Sequence, residues 1–459
     1  MTPNVASGLD DSAQSLSFSN ATPPFEPYVS FEVIGIAMKS YAIESMRHGP
    51  SLRLSGLSGS RASRLLKEAL AILLGIWVCG CSTFQESTTK GPWDLQSLSR
   101  TPAATWGVTT GLVQELYYEG EPLHGNPTRI FAYLGRPTNS MSAKSPAMVL
   151  VHGGGGKAFK DWAEHWARRG YVALAMDLGG RGPLRQMEDG MPDQSDATKF
   201  RNFSQADARD MWTYHAVAAV VRGHSLVRSL PEVDARRVGL TGISWGGYLT
   251  CIVAGIDPRF QVAVPVYGCG FLGENSFWTD KSLAAMTPES RALWLKLFDP
   301  SAYLAGVHRP ILFVNGTTDF AYPLDSYQKS YRLVDEKWRH ISVAVNRPHG
   351  HIWNFPEVDA FVDSVLLGAP SLPRIELPTV TTESISARLD GDSALKETSL
   401  CYTTNSGPWQ KRVWLTAPAR IEQHQLRAEL PKARPLVAFF AIKGEGGRHV
   451  SSEHIELKD

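Results

Sequence analysis

Short, wholly apolar runs alternate with stretches of helical spacing along most of this chain. Leu112–Tyr118 and Arg129–Leu134 look like an antiparallel pair leading into a sheet. Ala147–Val151 has no polar residue, the mark of a strand buried on both faces. A helix from Phe159 to Arg169 follows and stops at Gly170. Further strands are predicted at Tyr171–Met176, Arg237–Thr241, Phe260–Tyr267, Pro310–Asn315 and Ile341–Val345. Helices are predicted at Ala206–Leu226, Tyr248–Gly255, within Thr287–Leu297, at Leu324–Leu333 and at Glu357–Leu367. Repeated strand–helix units of this length imply an α/β fold, a doubly wound and mostly parallel sheet spanning residues 82–369. Functional residues of such sheets sit in loops beyond the carboxyl ends of the strands.

The pattern changes after Gly368. Pro370, Pro373 and Pro378 mark a linker, and the runs Ser384–Leu389, Thr398–Thr403, Lys411–Leu415, Gln425–Glu429 and Leu436–Ile442 have strand character. Residues 370–459 therefore read as a small β-sandwich of immunoglobulin-like type. No cluster of acids, histidines or cysteines assigns chemistry to it.

Residues 1–45 are polar and aperiodic and read as disordered or as a spurious upstream extension. From Met46, basic residues precede the apolar run Ala69–Val78, which is too short to span a bilayer well. The run ends in Val78-Cys79-Gly80-Cys81, which resembles a bacterial lipobox. Residues 46–81 are then a signal peptide, with Cys81 the lipidated first residue of an exported protein. It would meet the membrane surface through acyl chains alone, in the periplasm or at the cell surface. A buried or transmembrane helix is the competing reading, and Glu68 fits the signal peptide less well.

Charge narrows the partners only a little. The chain carries 46 basic and 45 acidic residues, a net +1, so no basic stripe suggests nucleic acid. None of the five cysteines forms a CxxC pair or a zinc spacing, and Cys251 and Cys269 lie in core-like runs. The sequence implies no metal and no organic cofactor.

Chemistry concentrates in four places. Gly242-Ile243-Ser244-Trp245-Gly246 follows a predicted strand and precedes a helix. A serine on so sharp a turn is held in a strained backbone with its hydroxyl above the sheet edge, as a nucleophile requires. His152-Gly153-Gly154-Gly155-Gly156, after the strand Ala147–Val151, lets backbone amides approach a substrate oxygen. The Gly154 and Trp245 amides are the candidate oxyanion hole. A phosphate-binding loop is the rival reading of these glycines. Ala158 stands where its Ser or Thr belongs, and Val151 where its first glycine belongs. Asp319, just past the strand Pro310–Asn315, is the candidate acid; nearby Asp325 reads as a helix start. His349 and His351, past the last strand, compete for the base. His351, nearer the closing helix, is the first choice and His349 the second; a metal pair lacks a third ligand.

These stretches, together with Trp212-Thr213-Tyr214-His215, resemble the α/β-hydrolase superfamily over about residues 105–368. Within it the chain is similar to the acetyl xylan esterase and prolyl-oligopeptidase-like branch, without a propeller. The resemblance implies a triad of Ser244, Asp319 and His351 and a small-molecule or carbohydrate ester as substrate. Between two strands, Phe271, Phe277, Trp278, Trp294 and Phe298 either line an acyl or sugar site or simply pack. The expectation is a secreted serine esterase. A serine peptidase for short peptides and a catalytically silent binding lipoprotein are the alternatives.

Overall fold

The first strands form a meander that the apolar pattern only partly predicted. In the computed structural model, which describes residues 91–138, 144–391 and 395–458, β1 (Ala104–Thr110), β2 (Val113–Glu119) and β3 (Arg129–Gly135) pair antiparallel. β1 escaped prediction because nearly all its residues are exposed and carry no apolar alternation. The expected signal peptide and Cys81 lie outside the described residues.

β4 (Ser145–Val151), β5 (Val172–Met176), β6 (Val233–Ile243), β7 (Val262–Val266), β8 (Ile311–Gly316) and β9 (Arg339–Ala344) are parallel. The nine strands run in the order β1-β2-β3-β5-β4-β6-β7-β8-β9. β4, β5 and β7 are buried almost throughout, because helices cover both faces of the sheet. The main helices are α1 (Lys160–Arg168), α2 (Trp212–Ser229), α3 (Trp245–Ile256), α4 (Pro288–Phe298), α5 (Leu324–Arg332) and α6 (Pro356–Leu366). This is the α/β-hydrolase arrangement: a doubly wound sheet with an antiparallel lead-in.

The helix expected over Ala206–Leu226 is broken. Met211 is extended, with φ −78° and ψ 142°, which separates a 3-10 turn at Ala206–Asp210 from α2. Among the described residues no helix is long and apolar enough to cross a membrane.

From Arg374 the chain forms two antiparallel sheets. One holds β10 (Arg374–Ile375), β11 (Thr379–Val380), β12 (Ser384–Asp390), β15 (Arg420–Glu422) and β16 (Gln425–Glu429). The other holds β13 (Leu395–Thr403), β14 (Leu415–Pro418), β17 (Leu436–Gly444), β18 (His449–Ser451) and β19 (Ile455–Leu457). The strand expected at Lys411–Leu415 is instead a 3-10 turn, Trp409–Lys411, ahead of β14.

Candidate active site

Ser244 links β6 to α3 with φ 61° and ψ −120°, a combination that costs a non-glycine residue roughly 1–3 kcal/mol. The surroundings impose it. Ser244 N donates to the Val266 carbonyl at 2.8 Å, and the first turn of α3 closes on the Ser244 carbonyl through Tyr248 N at 2.9 Å. A side chain at Gly246 would collide with the Val151 carbonyl, so the turn can be this tight only with glycine there. Ser244 is nonetheless reachable, being 7% exposed.

The glycine loop after β4 lies directly on this elbow. A Cβ on Gly153 would meet Ile243 O at 2.7 Å and Ser244 Cβ at 2.8 Å, and would collide with His351 Nε2. A Cβ on Gly154 would meet Trp245 Cδ1 at 2.7 Å. The Gly154 and Trp245 amides, expected to bind an oxyanion, therefore belong to adjoining residues, and neither donates to another described group. His152 anchors the loop. Its Nε2 accepts from Leu178 N at 2.9 Å, which leaves Nδ1 to donate to the Gly153 carbonyl at 2.8 Å. Burial depresses this imidazole to about 4, so it stays neutral and keeps that tautomer.

Asp319 is 3% exposed. Its Oδ1 accepts from Ala321 N at 2.9 Å and Tyr322 N at 2.8 Å, which turns Oδ2 toward His349 Nδ1, 2.7 Å away. The first-choice histidine, His351, is therefore not the one the carboxylate holds. The reason lies in the register of the last two strands. Gly316 of β8 pairs with Ala344 of β9, so the loops carrying Asp319 and His349 leave the sheet side by side. Asn346, at φ 51°, bends the second loop and donates its amide to Thr317 Oγ1 at 3.0 Å. Tyr267 stacks on the His349 ring at 4.7 Å between centroids, and its hydroxyl donates to the Pro348 carbonyl at 2.9 Å.

His351 instead faces the glycine loop, where its Nε2 would collide with a Cβ on Gly153. The His351 carbonyl accepts from Trp162 Nε1 at 3.2 Å, and its ring stacks on Phe159. Its Nε2 is buried without a partner among the described residues, and burial followed by repulsion from His349 holds its pKa below the ordinary imidazole value. Asp325 behaves as a residue of the first turn of α5, accepting from Asn275 Nδ2.

The segment between β7 and β8 divides its aromatics by role. Trp294 and Phe298 are fully buried core residues. Trp278 packs on Trp245 at 4.5 Å and on Tyr322 at 5.4 Å. Phe277 stays 42% exposed and meets the 52%-exposed Phe320 edge to face. Phe320 in turn lies 4.9 Å from the His349 ring. The sequence reading overlooked Phe320, and only its neighbour Asp319 points to it. Cys251, Cys269 and Cys401 are buried and free, with burial raising each thiol. Among the described residues no three His, Cys, Asp or Glu side chains are grouped as metal ligands.

Residues 99–301 match the family model for acetyl xylan esterase, a stretch that contains Ser244 but stops short of Asp319 and His349. An acetyl esterase from Xylanibacter ruminicola is 29% identical over 141 residues, 29% of this chain and 31% of that one. An uncharacterized peptidase from Bacillus subtilis is 30% identical over 111 residues, 22% of this chain and 16% of that one. The chain thus spans less than half the length of these curated relatives. A solved acetyl xylan esterase from a Paenibacillus species is 19% identical, with a TM-score of 0.48, covering 59% of this chain and 92% of that one. The strand order, the elbow and the family match agree: this chain has the α/β-hydrolase fold, and its residues 99–301 match the acetyl xylan esterase family.

Proposed function

We propose that the chain is an esterase acting through an acyl-enzyme on Ser244, with His349 as base and Asp319 as its orienting acid. The observations that carry this reading are the 2.7 Å pair of Asp319 Oδ2 and His349 Nδ1 and a strained serine on a strand-to-helix turn. With Nδ1–H donated to the carboxylate, the free Nε2 takes the proton of Ser244 as it attacks the ester carbonyl. The amides of Gly154 and Trp245 hold the tetrahedral oxyanion, where one such donor is worth roughly 100- to 1000-fold in rate. His349 then protonates the departing alcohol, and water activated by the same nitrogen releases the acid.

The proton goes to the alcohol, so the alcohol leaves on the His349 side. Phe320, packed against that ring with half its surface open, is the apolar surface this group meets, and Phe277 extends it. Trp245, Trp278 and Tyr322 are buried and packed together, which suits a small acyl group such as acetyl. A sugar ring, with apolar C–H faces and a polar rim, fits the open aromatic side. An acetylated carbohydrate is the substrate class favoured here, in keeping with the family match.

Export as a lipoprotein anchored at Cys81 belongs to the same reading. It is supported by the basic residues, the short apolar run and the small residues before that cysteine. Incorporation of an alkyne-tagged fatty acid, lost in Cys81→Ala, tests it.

Turnover of p-nitrophenyl acetate and acetylated xylo-oligosaccharides, beside a panel of aminoacyl anilides, tests the activity. Ester cleavage that disappears in Ser244→Ala is expected. Rapid anilide cleavage with negligible ester turnover would make the chain a peptidase instead.

A further inference from the structure

The C-terminal sheets meet the rest of the protein at β9 and α5. Val343 N donates to Ser451 Oγ at 2.9 Å, and Gln328 Nε2 donates to the His454 carbonyl at 2.7 Å. Leu324 and Val343 share an apolar cluster with Trp409, Trp414, Val437 and Phe439. Covering the last strand removes an exposed sheet edge, a common liability. That accounts for the apolar contact but not for the buried polar chain that crosses it.

The chain is centred on Glu357, which is 0% exposed. Its Oε1 accepts from Arg347 Nη2 at 2.5 Å and from Ser342 Oγ at 3.2 Å. Ser342 has one proton and gives it to Glu357, so it accepts from His449 Nδ1, 3.1 Å away. Burial, reinforced by the charges of Arg347 and Lys443, depresses His449 to about 3. The ring is therefore neutral and can hold its single proton on Nδ1. The donors run one way: His449 to Ser342 to Glu357, with Arg347 closing on the same carboxylate oxygen. Arg347 stands two residues before His349 in the loop that presents it. A buried ion pair adds little net stability compared with apolar side chains of similar size. A hydrogen-bonded network does hold its members in one arrangement.

We infer that the C-terminal β-domain is a positioning element of the active site: His449, through Ser342 and Glu357, holds Arg347 and thereby the backbone that aims His349 at Ser244. This rests on His349 being the base for Ser244. These four are positioning residues, since they act through His349.

The test uses the full chain with His449→Phe, His449→Asn and Ser342→Ala, each checked for folding by thermal melting. The readouts are the rate at which a fluorophosphonate labels Ser244, and kcat and KM on p-nitrophenyl acetate. His449→Phe and Ser342→Ala should lower labelling and kcat by about 10- to 100-fold while KM stays within about twofold. His449→Asn, whose amide N–H replaces Nδ1–H, should recover most of the loss. Folded His449→Phe with parental labelling and kcat, or an equal loss in His449→Asn, would overturn the inference. If His449→Phe does not fold, Ser342→Ala, which removes one hydroxyl, decides by the same readouts. A parent protein that labels yet cleaves no ester refutes the esterase reading alone, and the labelling arm still decides the present one.

Discussion

Asp319 and His349 meet at 2.7 Å through Oδ2 and Nδ1, while the ring of His351, two residues later, stacks on Phe159. The two imidazoles are therefore not interchangeable. His349→Ala should reduce kcat and fluorophosphonate labelling by at least about 1000-fold, since the proton acceptor is gone. His351→Ala should leave labelling within about tenfold of the parent. The reverse ranking would return the base to His351.

Ser244→Gly should melt at a higher temperature than the parent while losing all labelling. At φ 61° and ψ −120° the serine pays for a backbone that glycine adopts freely, by roughly 1 kcal/mol or more. An unchanged or lower melting point would mean that the elbow stores no strain.

Gly153→Ala should impair both stability and activity. Its methyl would press on Ile243 O, on Ser244 Cβ and on His351 Nε2, and overpacking of this kind costs about 1–3 kcal/mol. Parental melting and kcat in this variant would show that the loop can step away from the elbow.

Phe320→Ala should raise KM for acetylated xylo-oligosaccharides several-fold, since the apolar surface beside His349 is lost, and should hardly change kcat on p-nitrophenyl acetate. Equal effects on both substrates would argue that Phe320 merely supports the imidazole.

Acid should destabilise the protein before its carboxylates titrate. Burial holds His152, His215, His224 and His340 at about 4 and His449 and His454 at about 3, so the folded state refuses protons that the unfolded chain binds near 6.5. Stability is full above about pH 6.5 and falls as the pH drops toward these depressed values. Melting temperatures between pH 7 and pH 4.5 should decline with an uptake of about six protons per unfolding event from these groups. A flat profile down to pH 5 would contradict this account.

Much of this could be read from residue order alone. The apolar runs at Ala147–Val151 and Pro310–Asn315 mark fully buried strands because helices leave them no solvent face. The spacing of Gly242, Ser244 and Gly246 identifies the elbow because only small residues pass the carbonyl of Val151. Asp319 follows from its place just past a strand. β1 was illegible, since an exposed strand has no apolar rhythm, and so was the break at Met211, whose apolar side chain fits a helix as well as an extended residue.

The choice between His349 and His351 depended on how two neighbouring strands align, which no local pattern encodes. Nor does the sequence reveal that His449, about a hundred residues later, reaches the loop of Arg347 through Ser342 and Glu357. Sequence alone determined most of the sheet's strands and helices and placed Ser244 on a strand-to-helix turn and Asp319 just past a strand, because periodicity and tight turns are local properties. Tertiary structure alone decided which imidazole meets the carboxylate and what the last domain touches, because those depend on register and on contacts between distant segments.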